Sequence, residues 1–126
     1  MANWTFKCYD DGKSPNLWQR WFDANPAAQG SHEAALNILV QLEVWCKPNA
    51  KTFDGLVEII FKGGGVQHRI FGFYPGEKQK FIVLGTGNHK DRVYHPKDII
   101  KTCKKRKKEI ELDSNKAKDC TRPEAD

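Results

Sequence analysis

The sequence predicts a single α+β domain in which helices cover one β-sheet. Residues 55–86 contain three runs rich in strand-forming residues, separated by short joins that contain glycine. Apolar residues recur at helical spacing both before these runs and after them. The chain of 126 residues can bury a core of useful size without disulfides or metal.

The first elements are predicted to be a strand and a helical hairpin packed on the sheet. Apolar and polar residues alternate over 3–10, which is the pattern of a strand. Ser14 before Pro15 is typical of a helix N-cap followed by proline at the first helical position. Ser31 can cap the second helix. The buried faces would comprise Leu17, Trp18, Trp21 and Phe22 in the first helix, and Ala35, Leu36, Leu39, Leu42 and Cys46 in the second.

Strands over 55–61, 66–74 and 80–86 are predicted to form a three-stranded antiparallel meander. The join "KGGG" could instead suggest a phosphate-binding loop. Such a loop needs glycines that are followed by Lys and Ser or Thr at the start of a helix. Here Lys62 precedes the glycines and a strand follows them, so the sequence favours a hairpin turn.

A basic helix is predicted to open at Pro96 and to complete a domain over residues 1–112. Residues 113–126 lack apolar periodicity and are expected to be a flexible tail. The helix surface could contact a nucleic-acid backbone, dock an acidic partner, or be a solvated face. The candidate RNA-binding lysines on it are Lys101, Lys104, Lys105 and Lys108.

Composition favours a protein of the cytoplasm with no membrane partner. The formal net charge is +5, and no apolar run approaches the roughly 20 residues that span a bilayer. The N-terminus lacks the basic start and apolar core of a signal peptide. The four cysteines show no zinc-type spacing, so we expect reduced thiols, with Cys46 and Cys103 in the core, and no metal or cofactor.

Arg69 is the first candidate site residue, because it interrupts an apolar strand. On a strand it would share a face with Gln67, Phe71 and Phe73. A buried arginine needs an anionic partner or an open cleft. Glu58 on the preceding strand could supply an ion pair; alternatively, the guanidinium could bind a phosphate.

The polar segment 87–95, expected to be a loop, is the second candidate. It contains His89, Lys90, Arg92, Tyr94 and His95. In an RNA-cleaving site, a base would deprotonate the 2′-hydroxyl, cations would stabilise the phosphorane charge, and an acid would protonate the leaving oxygen. An aromatic ring could stack on a base. An ordinary solvated loop is the alternative.

The stretch from Lys51 to Leu112 resembles the RelE/ParE superfamily of type II toxin–antitoxin toxins, most closely its HigB-like, phage-associated branch. The resemblance lies in "GLVEI", in the pair "HR" at 68–69, in Lys90 and in Pro96 before a basic helix. It implies a RelE-like, microbial RNase-like fold, a cognate antitoxin of the helix-turn-helix type, and ribosome-dependent cleavage of mRNA without a metal.

The resemblance also implies roles for individual residues. Arg69 matches the arginine that contacts the scissile phosphate, and Lys90 and Arg92 match a cationic loop, with Tyr94 and His95 as further catalytic candidates. Lys62 and His89 are RNA-binding candidates.

Departures from the family pattern favour a second hypothesis. Asp91 replaces a second lysine, Asn88 replaces an aromatic residue, and residues 113–126 contain no tyrosine. These favour a non-catalytic member, either a gyrase-type inhibitor as in the ParE branch or a binding module.

Overall fold

One mixed β-sheet organises residues 3–125, the part of the chain that the computed structural model describes. The predicted order of an N-terminal strand, two helices, an antiparallel meander and a C-terminal helix is confirmed. The predicted ranges 1–112 and 113–126 include residues 1, 2 and 126, which lie outside the described residues. The strands are β1 Thr5–Tyr9, β2 Ala50–Phe53, β3 Leu56–Gly63, β4 Val66–Phe73, β5 Lys80–Lys90, β6 Val93–His95 and β7 Ala117–Asp119; the helices are α1 Leu17–Ala24, α2 Gln29–Leu39 and α3 Ile99–Leu112.

The described residues form a seven-stranded sheet in the order β2-β3-β4-β5-β1-β7, and β6 pairs with the end of β5. The meander β3-β4-β5 is antiparallel, as predicted. β1 lies parallel to β5 and antiparallel to β7. Parallel neighbours cannot be joined by a tight turn. The connection from β1 to β5 is long and contains α1, α2, β2, β3 and β4.

The glycines of "KGGG" form a hairpin turn, as predicted. Gly63 pairs with Val66 across the hairpin, so Gly64 and Gly65 alone make the turn. Their φ angles are +60° and +78°. Glycine adopts this left-handed region without steric cost, which a two-residue hairpin turn requires.

The two faces of the sheet carry separate apolar cores. α1 and α2 pack on one face against alternate strand residues such as Ile59 and Ile70. α3 packs on the other face against the intervening residues, such as Leu56 and Phe71. Successive strand side chains point to opposite faces, which explains this division. The predicted buried face of α1 is confirmed as Leu17, Trp18, Trp21 and Phe22.

The helical hairpin differs from the prediction at its boundaries. Asn16, not Ser14, caps α1, and its side chain accepts a hydrogen bond from the backbone of Gln19. α2 begins before Ser31 and ends at Leu39, so the predicted stripe does not continue to Cys46. Cys46 is exposed, and its assignment to the core is wrong, whereas that of Cys103 is confirmed.

The segment 87–95 is a β-hairpin in place of the expected loop. β5 continues to Lys90, and β6 returns along it with His89 opposite Tyr94. Asp91 and Arg92 form the turn with φ angles of +53° and +66°. Two successive left-handed residues define the type I′ turn that joins twisted strands well.

Residues 114–119 have secondary structure, within the range 113–126 that was expected to be a flexible tail. After α3, residues 114–116 form a 3₁₀ turn and β7 pairs with β1. Cys8 in β1 and Cys120 after β7 form a disulfide, so the expectation of four reduced thiols is wrong for this pair. No helix within residues 3–125 has the length and apolarity needed to cross a membrane.

Candidate functional site

The candidate site is centred on the carboxylate of Glu58, which is completely buried in β3. Lys51 Nζ in β2 lies 3.1 Å from Glu58 Oε1, and Arg69 Nε in β4 lies 3.9 Å from the same oxygen. The hydroxyl of Tyr94 in β6 donates a hydrogen bond of 2.9 Å to Glu58 Oε2. Three strands therefore bring two cations and one hydrogen-bond donor to this carboxylate, so its charge is paired, while Oε1 accepts no hydrogen bond from residues 3–125.

Strand register explains why these side chains meet. Lys51 is directly opposite Glu58, and Arg69 is opposite Ile60, one diagonal step away from Glu58. Diagonal neighbours on one face remain within reach of long side chains. On the far side of Arg69 the paired residue is Gly87. A Cβ at Gly87 would lie 2.6 Å from the carbonyl oxygen of His95, so only glycine lets the β5–β6 hairpin pack this closely.

Arg69 has both an anionic partner and a limited opening to solvent. Its side chain is 10% exposed, and its Nη1 donates a hydrogen bond of 2.8 Å to the His68 carbonyl. Its Nε is buried and has no hydrogen-bond partner among residues 3–125. The contact of 3.9 Å with Glu58 is longer than a hydrogen bond. The predicted Glu58 ion pair is thus present, yet it leaves guanidinium donors uncommitted to the carboxylate.

Tyr94 is held as a neutral phenol. Burial is the main reason that its pKa is raised to about 12, and the hydrogen bond to Glu58 and the negative charge of Glu58 add to this effect. The ring packs edge-on against Phe71 at 5.5 Å between centroids and parallel to Phe53 at 6.2 Å. Its proton is directed at Glu58, so Tyr94 fixes the position of that carboxylate.

A polar row crosses the sheet next to this network. Lys62 pairs with Gln67, Gln67 with His89, and His89 with Tyr94. Residues directly opposite each other on neighbouring strands lie on one face of a sheet. His89 is half-buried, and its ring centroid is 4.9 Å from that of Tyr94. A cleft of about 490 Å³ opens at this end of the sheet, lined in part by Gln67 and His89.

The structure brings together some of the predicted site residues and separates others. Lys62, Arg69, His89 and Tyr94 lie on the α3 face of the sheet. Lys90 and His95 follow these positions by one residue in their strands, so their side chains belong to the opposite face. Arg92 is exposed at the tip of the hairpin.

The predicted lysines of α3 lie along an exposed helix surface. Lys104 forms an ion pair with Asp54 in the turn between β2 and β3. The members of the group, all exposed, are Lys101, Lys104, Lys105 and Lys108. This surface flanks the site without entering the Glu58 network.

Lys51 is the functional candidate that sequence reasoning missed. A signal for it exists in "KTFDGLVEI", where Asp54-Gly55 separates two runs of strand-forming residues. Asp-Gly is among the strongest sequence signals for a two-residue hairpin turn. Both residues have positive φ, and the hairpin places Lys51 opposite Glu58.

The arrangement brings cations, an imidazole and a phenol to one face of the sheet, where Lys62 is exposed, His89 and Tyr94 are half-buried and Arg69 is buried. Residues 3–125 contain no group of three or more His, Cys, Asp or Glu side chains that could hold a metal ion. Comparison of the chain with protein-family models, with curated proteins and with solved structures finds no match.

Proposed function

We propose that the chain is the toxin of a type II toxin–antitoxin pair, similar to the HigB-like branch of the RelE/ParE superfamily, and that it cleaves mRNA at the ribosome. The observation that carries the proposal is the position of Lys62, Arg69 and His89 on one face of the sheet. The order of strand, two helices, meander and basic helix also supports it. Its partners would be the ribosome, mRNA and a helix-turn-helix antitoxin.

Arg69 is the group that binds the scissile phosphate in this proposal. A guanidinium presents donors in a planar fork that matches phosphate oxygens. The buried carboxylate of Glu58 lies on one side of the guanidinium, and a phosphate would bind at the 10% of the side chain that is exposed. Lys62, exposed in the adjoining row, adds positive charge for the neighbouring phosphate. Both groups would stabilise the additional negative charge of the phosphorane-like transition state.

His89 is the proton-transfer group. It is the diagonal neighbour of Arg69, at a Cα separation of about 7–8 Å, so both side chains lie on the same face and would act on the same nucleotide. The imidazole takes the proton of the 2′-hydroxyl as the 2′-oxygen attacks phosphorus. The bond from phosphorus to the 5′-oxygen breaks, and the 5′-oxygen leaves with a proton from solvent. The products are a 2′,3′-cyclic phosphate and a 5′-hydroxyl.

Purified ribosomes loaded with a defined mRNA test this function. Wild-type protein should cut the mRNA, and His89→Gln and Arg69→Gln should each reduce the rate by roughly 100-fold. Arg20→Gln is the matched control, because Arg20 lies on α1 and pairs with Asp11. Circular dichroism and thermal melting establish that each variant is folded. Cleavage by His89→Gln at the wild-type rate would refute the assignment.

A non-catalytic function of the same fold is the second candidate. The hydrogen bond from Tyr94 to Glu58 supports it, because the phenol proton is already engaged within the protein. Asp91 at the hairpin tip also places a negative charge where the family that this chain resembles has a lysine. Measuring mRNA decay and DNA supercoiling after induction separates the two functions. Loss of supercoiling with intact mRNA would indicate a gyrase-type inhibitor, and rapid mRNA decay would indicate the nuclease.

A further inference from the structure

The last segment of the chain, residues 113–125, is attached along the outer edge of β1, and we call it the C-terminal strap. Its first attachment is the short strand β7, which pairs with Lys7–Tyr9. The backbone amide of Asp10 also donates a hydrogen bond of 2.8 Å to the Lys116 carbonyl. The disulfide between Cys8 and Cys120 joins the strap to β1 covalently, across a sequence separation of 112 residues.

Beyond the disulfide the strap reaches helix α2. Arg122 Nη2 donates a hydrogen bond of 2.7 Å to Asn37 Oδ1, and the amide of Ala125 donates one to Glu33. Pro123 is buried. The strap therefore connects the edge of the sheet to the helical layer on one of its faces.

Few contacts other than the disulfide hold the strap in place. Ala117 and Pro123 are its buried residues, and β7 has only three residues. A short edge strand with one exposed side opens at low free-energy cost. Most other strap residues are exposed: Asp113, Ser114, Asn115, Lys116, Lys118, Asp119, Thr121, Glu124 and Ala125.

We propose that the strap is a redox-controlled clasp, which is closed by the Cys8–Cys120 disulfide and released from β1 when a dithiol reduces that bond. Cys120 is half-buried and Cys8 is almost fully buried, so the attacked sulfur is Cys120 Sγ. A thiolate of the dithiol bonds to Cys120 Sγ, and Cys8 Sγ leaves and takes a proton. The second thiol of the dithiol then displaces Cys120, which also takes a proton. One disulfide in the reductant and two thiols in the protein result.

Release of the strap changes one edge of the sheet and leaves the meander intact. β1 keeps its parallel pairing with β5, while the outward-facing backbone groups of Phe6, Cys8 and Asp10 lose their partners in the strap. A disulfide with one accessible sulfur can undergo thiol–disulfide exchange, which fits a clasp that opens and closes. This inference is independent of the RNA-cleaving function.

Limited proteolysis with trypsin tests the proposal, since the strap contains Lys116 and Lys118. Full-length protein is treated with trypsin in the oxidised state and after reduction with dithiothreitol, and cleavage after each lysine is followed by mass spectrometry. Reduction should accelerate cleavage at these sites by roughly tenfold or more. The Cys120→Ser variant should be cleaved rapidly with or without reductant. Cys46→Ser, at an exposed unpaired cysteine, should behave as wild type.

Hydrogen exchange distinguishes local release from general unfolding. After reduction, the amides of Cys8 and Asp10, which face the strap, should exchange faster, while those of β3 and β4 stay protected. Equal cleavage in the two redox states would overturn the proposal. It would also be overturned by loss of protection throughout the sheet, or by finding Cys8 and Cys120 as thiols in the oxidised protein.

Discussion

Replacing Glu58 by glutamine tests the charge network on which the candidate site depends. The glutamine side chain would keep the volume of glutamate and could still accept a hydrogen bond from the Tyr94 hydroxyl. The substitution would, however, remove the negative charge. The ammonium group of Lys51, whose side chain is 40% exposed, can then be hydrated at little cost in free energy. Arg69, at 10% exposure, cannot, and its charge would remain buried without an anionic partner.

The expected loss in free energy of unfolding follows from this difference. Removing one partner of a buried ion pair costs about 3–5 kcal/mol. Arg69 retains its hydrogen bond to the His68 carbonyl and some exposure, so we expect about 3 kcal/mol, the lower end of that range. For a chain of this size the loss corresponds to a fall in Tm of roughly 10 °C.

Urea denaturation followed by tryptophan fluorescence measures the loss, with Glu111→Gln, at an exposed position of α3, as the control. The control should lie within about 0.5 kcal/mol of wild type. The double variant Glu58→Gln/Arg69→Gln should recover part of the loss, because it leaves no stranded charge. A cost below about 1 kcal/mol for Glu58→Gln, or additive costs in the double variant, would refute the reasoning.

Two further predictions concern His32 and the β5–β6 turn. Burial is the main reason that the pKa of His32 is lowered to about 4, so the unfolded chain binds this proton first as the pH falls below about 6.5. The protonation of this group should therefore lower the free energy of unfolding by about 3 kcal/mol from pH 7 to pH 4. Urea denaturation of wild type and of His32→Gln at several pH values measures this loss. The prediction is contradicted if the free energy of unfolding depends on pH equally in the two proteins. Arg92 has a φ of +66°, which glycine adopts without steric cost, so Arg92→Gly should raise the free energy of unfolding by about 0.5–1 kcal/mol. Thermal melting measures the change, and a lower Tm for the variant would argue against this turn conformation.

The meander could be predicted because its strands are long and alternate clearly. The eight residues of β3 and of β4 give enough periodicity to assign both faces, and the glycines between them mark the turn. The shared face of Gln67, Arg69 and Phe71 followed from that alternation, as did the approach of Arg69 to Glu58.

The remaining strands could not be predicted because they are too short to show a period. β6 and β7 have three residues each, and β2 has four. β7 pairs with β1, which is distant in sequence, and local propensity does not encode that pairing. β2 and β6 each pair with a neighbouring strand through a two-residue turn, but three or four residues do not show a clear alternation. The convergence of Lys51 and Tyr94 on Glu58 depends on the register of these two short hairpins, of which Asp54-Gly55 marks the first in the sequence.

The position of β1 inside the sheet has a consequence for the order of folding. Its neighbours are β5, where Thr5 pairs with Lys80, and β7, where Lys7 pairs with Asp119. Contacts between residues so far apart in sequence form slowly, because a long loop must close first. During synthesis β1 therefore cannot pair with both of its neighbours until the rest of the chain has been made. β3, β4 and β5, in contrast, can pair as soon as they emerge. We expect a meander with α2 docked on it to form first, and the two ends of the chain to join it last.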